Sequence, residues 1–231
     1  MKILKGIIAL LPLVITAAVM PFMPEKVPMH YSIDGSVDRM GSRYELLLMP
    51  LLIILILAVT SFVVKHYQKR AGGPDDDRNA KTARANIKSL NVISIAVPVI
   101  FGALQLGILY MTYQNAKADI VEIKSDLIVR LTFILIGIMC VVFGNLTQRT
   151  EMNNLFGVRM KWSMYNENTW RRCNSFGGIV FIIAGLLIIV TSAIVPANVI
   201  AVAITAYLLI ATVIIMVYSR KVYQEEISGQ S

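Results

Sequence analysis

Five stretches of this chain carry no charged residue, 6–24, 46–64, 89–116, 131–148 and 173–219, and each is long enough to cross a bilayer. A hydrocarbon core of about 30 Å takes roughly 20 helical residues. The last stretch, 47 residues, therefore holds two spans, divided around Pro196-Ala197-Asn198. Barrel strands would alternate in and out over about ten residues, whereas these stretches are continuously apolar. The pattern predicts an all-α polytopic membrane protein with six transmembrane helices, near 5–23, 46–64, 90–113, 127–146, 176–195 and 198–218. Composition agrees: 56% of 231 residues are hydrophobic, more apolar surface than a soluble domain hides. Lys2 and Lys5 before an apolar run ending at Ala17-Ala18 resemble a secretion signal, but no clean small-x-small site follows and the first span is expected to stay.

Lys and Arg counts in short loops set orientation. Segments on the N-terminal side carry 16, namely two before the first span, seven in 65–89, five in 147–175 and two in the tail. The opposite side carries five, in 24–45 and 114–126, with Arg130 just inside the fourth span. Both termini are expected to be cytoplasmic. The net charge of +8 then reads as an orientation and headgroup signal, and no nucleic-acid module gives it another meaning. The chain divides into a two-helix unit (1–64) with an extracytoplasmic loop (24–45), a cytoplasmic linker (65–89) and a four-helix domain (90–231) carrying a polar passage at 153–174.

Ionisable groups inside a bilayer are costly and mark function, and these spans hold almost none. His30 and His66 fall in loops, and no Asp or Glu lies within a span. A proton relay, paired aspartates for intramembrane proteolysis and a His-Glu-x-x-His zinc site are all missing. Cys140 and Cys173 sit too far apart to suggest a disulfide or a zinc framework, so no cofactor or metal site is expected. Gln105 is expected to bond to a neighbouring helix, and Arg130 to snorkel to outer headgroups. Gly102, Gly107, Gly137, Gly144, Gly178 and Gly185 are expected to permit close helix contact, and Pro50 and Pro98 to kink their helices.

The outer loop begins MPEKVPMHYSIDG. Residues 27–33 alternate, Asp34-Gly35 is a two-residue turn signal, and 36–40 can return antiparallel. In that register Tyr31 faces Asp38 and His30 faces Arg39, which sends His30 and Asp38 to opposite faces and argues against a metal site on the pair. Pro24 and Pro28 stiffen the chain leaving the first span. The hairpin reads either as a cap packed on the helix ends or as a contact surface for something arriving from outside.

Two inner loops differ in character. Residues 65–89 contain the helix-breaking Gly72-Gly73-Pro74 and charge of both signs, a solvated linker with headgroup anchors. Residues 153–174, NNLFGVRMKWSMYNENTWRRCN, hold both tryptophans. Asn166 or Asn168 can cap a helix, after which Trp170, Asn174, Gly177, Gly178 and Phe181 share one face, and Gly157 invites a turn. Arg159 and Trp162 have the chemistry of interface anchors. The passage is expected to form a folded elbow.

Asn153, Gly157, Arg159, Trp162, Trp170 and Asn174 stand as N-x3-G-x-R-x2-W-x7-W-x3-N, which resembles the signature of the Sdp immunity protein family of bacterial membrane proteins. The upstream MPEKVPMHYSIDG, with its Pro-x2-hydrophobic-Pro core and a span starting near Met49-Pro50, resembles the domain of unknown function that often precedes it. Where family members commonly carry Thr-Leu after the first Trp, this chain has Ser163-Met164, which keeps a hydroxyl.

The resemblance implies a non-enzymatic, multi-pass immunity protein that protects its host from a secreted, membrane-active peptide toxin. In some members it also implies drawing a small helix-turn-helix transcriptional repressor to the membrane in signal transduction. The outer hairpin, with Pro24, Pro28, His30, Tyr31, Asp34, Gly35 and Asp38, is then the candidate toxin contact. The six motif residues are either scaffold or partner surface. The rival reading is a transporter or channel for a small solute or peptide, which needs a polar path through the helices.

Overall fold

The computed structural model describes residues 2–32, 36–74, 77–117 and 126–229. Its helices are α1 (Lys2–Val19), α2 (Leu48–Ala71), α3 (Arg78–Lys117), α4 (Asp126–Gln148), α5 (Glu167–Ile194) and α6 (Ala197–Ser228). A two-stranded antiparallel hairpin, β1 (Lys26–Tyr31) and β2 (Val37–Ser42), joins α1 to α2. All six helices are long and apolar enough to cross a membrane, so the chain is an all-α polytopic membrane protein. Two groups form, with α1 and α2 packed on α3 and with α5 packed between α4 and α6, joined by a thinner α3–α4 contact.

Several helices outrun the apolar stretches that betray them. Helix α3 has 40 residues, about 60 Å at 1.5 Å per residue, and begins well inside the segment read as a solvated linker. Among the described residues, Gly72-Gly73-Pro74 and Asp77 lie between α2 and α3, and helix resumes at Arg78 because Lys, Arg and Ala are good helix formers whatever their charge. Ala80, Ala83 and Asn86 on this part of α3 are at most 1% exposed, so it is packed helix. Pro50 lies in the first turn of α2, where a missing N–H costs nothing. Pro12 and Pro98 lie inside α1 and α3.

All six glycines expected at helix contacts are found at them. A Cβ on Gly102 would meet Pro12, and one on Gly107 would meet Leu131. Gly137 faces the Gly185 carbonyl and Gly144 the Gly178 carbonyl, with each contact returned by the partner glycine. Both pairs are seven residues apart along their helices, so α4 and α5 touch backbone to backbone twice along an antiparallel seam, the close approach that small residues allow in lipid.

The hairpin is docked on the helix ends. Val27, Met23, Leu46 and Leu109 form one buried cluster, flanked by Ile15, Val19 and Met29. Ser42 and Glu45 form a capping box that turns the chain into α2. His30 pairs with Arg39 as expected, but Tyr31 pairs with Val37 in place of Asp38. The register slips on both sides of His30, leaving Met29 extra on β1 and Asp38 extra on β2. Such bulges re-aim side chains. The expectation that His30 and Asp38 point to opposite faces is thereby overturned: His30 Nδ1 lies 2.6 Å from Asp38 Oδ1.

Candidate functional site

At the end of the bundle opposite the hairpin, residues 149–166 connect α4 to α5 as a folded elbow whose parts are held almost wholly by side-chain hydrogen bonds. Asn153, 1% exposed, is its first staple. Its Nδ2 donates to Thr150 Oγ1 (3.0 Å) and to the carbonyls of Glu151 (2.8 Å) and Phe156 (3.0 Å), and its Oδ1 accepts the N–H groups of Leu155 and Phe156, both at 2.8 Å. Each polar atom of a buried carboxamide is thus satisfied, as burial demands.

The second staple comes from α5. Asn174 Oδ1 accepts the Val158 N–H at 2.7 Å, and its Nδ2 donates to the Trp170 carbonyl one turn earlier at 3.0 Å. The buried Trp170 ring donates from Nε1 to the Thr150 carbonyl at 2.9 Å. Gly157 lies flat against both, with φ +119°, a backbone conformation open to glycine. A Cβ there would collide with Asn174 Oδ1 and press on the Trp170 ring at 3.2 Å. Val158 then plugs into α5 and α6 beside Cys173, Ile215 and Val222, in room left by Gly177.

Asn166 is the helix cap: its Oδ1 accepts the Thr169 N–H at 2.8 Å and Thr169 Oγ1 accepts the Asn166 N–H at 3.1 Å. Ser163 keeps a use for its hydroxyl, donating to the Val158 carbonyl at 2.7 Å and accepting the Met160 N–H at 2.9 Å. The motif therefore separates into two sets. Asn153, Gly157, Trp170 and Asn174 are interlocked in one network, whereas Arg159 is exposed and Trp162 half-buried.

Sequence reasoning missed the far end of α6. Glu226 accepts from Asn166 Nδ2 (2.8 Å) and Asn168 Nδ2 (2.6 Å), Arg172 pairs with Glu225 at 2.6 Å, and the rings of Tyr165 and Tyr223 meet edge to face. No local signal marks partners about 60 residues apart. Thr150 and Thr169 were missed as well; the Asn166-x-x-Thr169 spacing was the available clue for the latter.

At the hairpin end, Pro28 is buried, Pro24 and His30 are exposed, and Tyr31 is a paired strand residue. Asp34 and Gly35 lie outside the described residues. Beneath the hairpin a mostly apolar groove of about 600 Å³ runs between α2 and α4, with Leu48 and Leu52 on one wall, Val129 and Phe133 on the other, and Leu104 and Ile108 of α3 as its floor. His30, Ser32 and Glu45 lie at its rim. Gln105 lines the floor, with Nε2 donating to Thr16 Oγ1 (3.1 Å) and to the Leu46 carbonyl (3.0 Å), so this one amide ties α3 to α1 and to the entry of α2. Arg130 meets the end of α5. Its guanidinium donates to the carbonyls of Ser192 (2.9 Å) and Ala193 (3.2 Å), because the last turn of α5 leaves carbonyls without helical partners and a negative dipole end. Among the described residues no group of three or more His, Cys, Asp or Glu could hold a metal ion.

Six spanning helices, a docked hairpin at one end and a hydrogen-bonded elbow at the other define a multi-pass helical membrane protein. Residues 149–219, which take in the whole elbow, match the model of the SdpI/YfhL protein family, and residues 7–54 match that of a domain of unknown function, DUF1648. The chain is 24% identical over 191 residues to "Immunity protein SdpI" of Bacillus subtilis (strain 168), covering 83% of this chain and 81% of that one. In these stretches it resembles the SdpI family. No solved structure matches it.

Proposed function

We propose that the chain confers resistance to a secreted, membrane-active peptide toxin, without enzymatic chemistry, from a bacterial cell membrane in which both termini and the elbow are cytoplasmic. The observation that carries this reading is the likeness to an immunity protein over 83% of the chain, a stretch long enough to include both the hairpin and the elbow. Orientation rests on 16 Lys and Arg at the elbow end against five at the hairpin end. The hairpin and the groove below it then face the side from which a secreted peptide arrives. On the cytoplasmic side the exposed Arg159, held out by a rigid elbow, is the surface open to a partner such as a small helix-turn-helix repressor. A transporter reading would require specific solute flux in liposomes.

The test is survival. A sensitive strain expressing the chain is challenged with the peptide fraction secreted by the host bacterium, beside a strain carrying an empty vector. Protection is the expected result, and equal killing of the two strains removes the reading.

A further inference from the structure

We propose that a second hollow, at the base of the hairpin, holds the headgroup of a phosphatidylethanolamine molecule, with its phosphate on Lys26 and Arg43 and its ammonium on Glu25. The inference concerns the bilayer around the protein and stands or falls apart from the immunity reading.

Position comes first. Glu25, Lys26, Met40, Ser42, Arg43 and Tyr44 are among the residues lining this open, half-polar hollow of about 540 Å³. The first apolar span ends at Phe22 and the second begins at Arg43. The hollow therefore lies within a few residues of both span ends, at the depth where hydrocarbon gives way to headgroups. Tyr44, 62% exposed, is an aromatic of the kind enriched at that boundary. Phe22 and Leu48, just inside the two span ends, are exposed as well and meet acyl chains.

Charge decides the occupant. Elsewhere on the described hairpin the charged groups are matched, His30 with Asp38 and Arg39 with Glu45. Among the described residues, the side chains of Glu25 and Lys26 have no hydrogen-bond or ion-pair partner. Arg43 donates from Nη1 to the Met23 carbonyl at 3.2 Å and lies over the Tyr44 ring at 5.6 Å. Those contacts fix the guanidinium and leave it further N–H donors. The Arg43 backbone N–H donates to the Glu25 carbonyl at 3.0 Å, and Lys26 pairs across the sheet with Ser42, so two cations and a carboxylate are held together at the hairpin base.

An acyl chain has no use for three unmatched charges, and a headgroup carrying phosphate alone would meet the carboxylate with like charge. A headgroup with a phosphate and a primary ammonium matches all three. Phosphate takes charge-assisted hydrogen bonds from Lys and Arg, and the ammonium gives them to a carboxylate. The quaternary ammonium of phosphatidylcholine has no N–H to give, so that lipid is matched at one end only.

The test is native mass spectrometry of the full-length protein in detergent with equimolar phosphatidylethanolamine and phosphatidylcholine of identical acyl chains. About fivefold more bound phosphatidylethanolamine is expected, a preference of about 1 kcal/mol. Glu25→Gln should bring the ratio to unity, Lys26→Ala should lower retention of both lipids, and Lys161→Ala at the elbow should change neither. All three positions are exposed, so the fold is not at stake. Equal binding of the two lipids by the parent protein, a preference that survives Glu25→Gln, or an equal loss of lipid with Lys161→Ala and Lys26→Ala overturns the proposal. So does displacement of the lipid by soluble phosphoethanolamine at equal concentration, which would make the hollow a site for a free ligand.

Discussion

Asn174 holds Val158 by a single 2.7 Å hydrogen bond from the backbone N–H to the carboxamide oxygen, across 16 residues and from helix to loop. Through that bond the first turns of α5 dictate where the elbow turns, and Val158 is delivered to its slot between α5 and α6. Four residues of the recurring motif serve this one piece of architecture. Arg159, exposed, and Trp162, half-buried, stand outside it.

Asn174→Ala is expected to lower the thermal unfolding midpoint of the detergent-purified protein, because it leaves a buried N–H without a partner, at a cost of about 1–3 kcal/mol. Gly157→Ala should do the same through its positive φ. Midpoints equal to that of the parent protein would remove the scaffold assignment.

Arg159→Ala should separate stability from protection. The side chain is exposed, so abundance and unfolding midpoint are expected to stay within the roughly 0.5 kcal/mol typical of surface changes, while survival under toxin falls. Trp170→Ala, by contrast, empties a buried site, worth about 3–5 kcal/mol, and should lose abundance first. Full protection by Arg159→Ala would take that residue out of the functional surface.

The α4–α5 seam predicts a position-specific intolerance. Gly144→Leu or Gly178→Leu must push apart backbones that are in contact, an overpacking cost of about 1–3 kcal/mol, whereas Gly6→Leu meets open space. Fluorescence-detected size-exclusion profiles should show aggregation or loss for the first two and a normal peak for the third.

Gln105→Leu removes both of the amide's donated bonds. Hydrogen bonds inside membranes average about 0.6 kcal/mol each, so a loss of about 1 kcal/mol is expected in a denaturant titration. An unchanged midpoint would mean that α1, α3 and the entry to α2 hold together without the amide.

Orientation is open to a labelling experiment. The Met40→Cys variant, altered on the exposed face of β2, should react with an impermeant maleimide in intact cells, and the Lys161→Cys variant, altered at an exposed elbow position, only after permeabilisation. The reverse pattern would invert the assignment of faces.

The spans were legible because an uninterrupted apolar run of such length has little use outside a bilayer, and the elbow because Asn, Gly and Trp at fixed spacing need a fold to serve. Helix ends were not legible. Residues 78–89 look polar in one dimension, yet Ala80, Ala83 and Asn86 are buried in three, since a charged helix can still bury a stripe of small side chains. The meeting of His30 with Asp38 was hidden as well, because an ideal two-residue alternation contains no bulge and a bulge has no reliable signature in so short a hairpin. The partners of Arg130 were hidden because the carbonyls it meets belong to the end of another helix, about 60 residues away. The clasp of Glu225 and Glu226 on the elbow was beyond any local pattern for the same reason.

The doubled glycine seam carries a mechanical implication. With carbonyls nested against the opposite main chain at Gly137–Gly185 and again at Gly144–Gly178, a lengthwise slip of α4 along α5 would bring larger side chains against main chain at both places. The two helices are pinned to each other at two heights, one nearer Arg130 and one nearer Trp170.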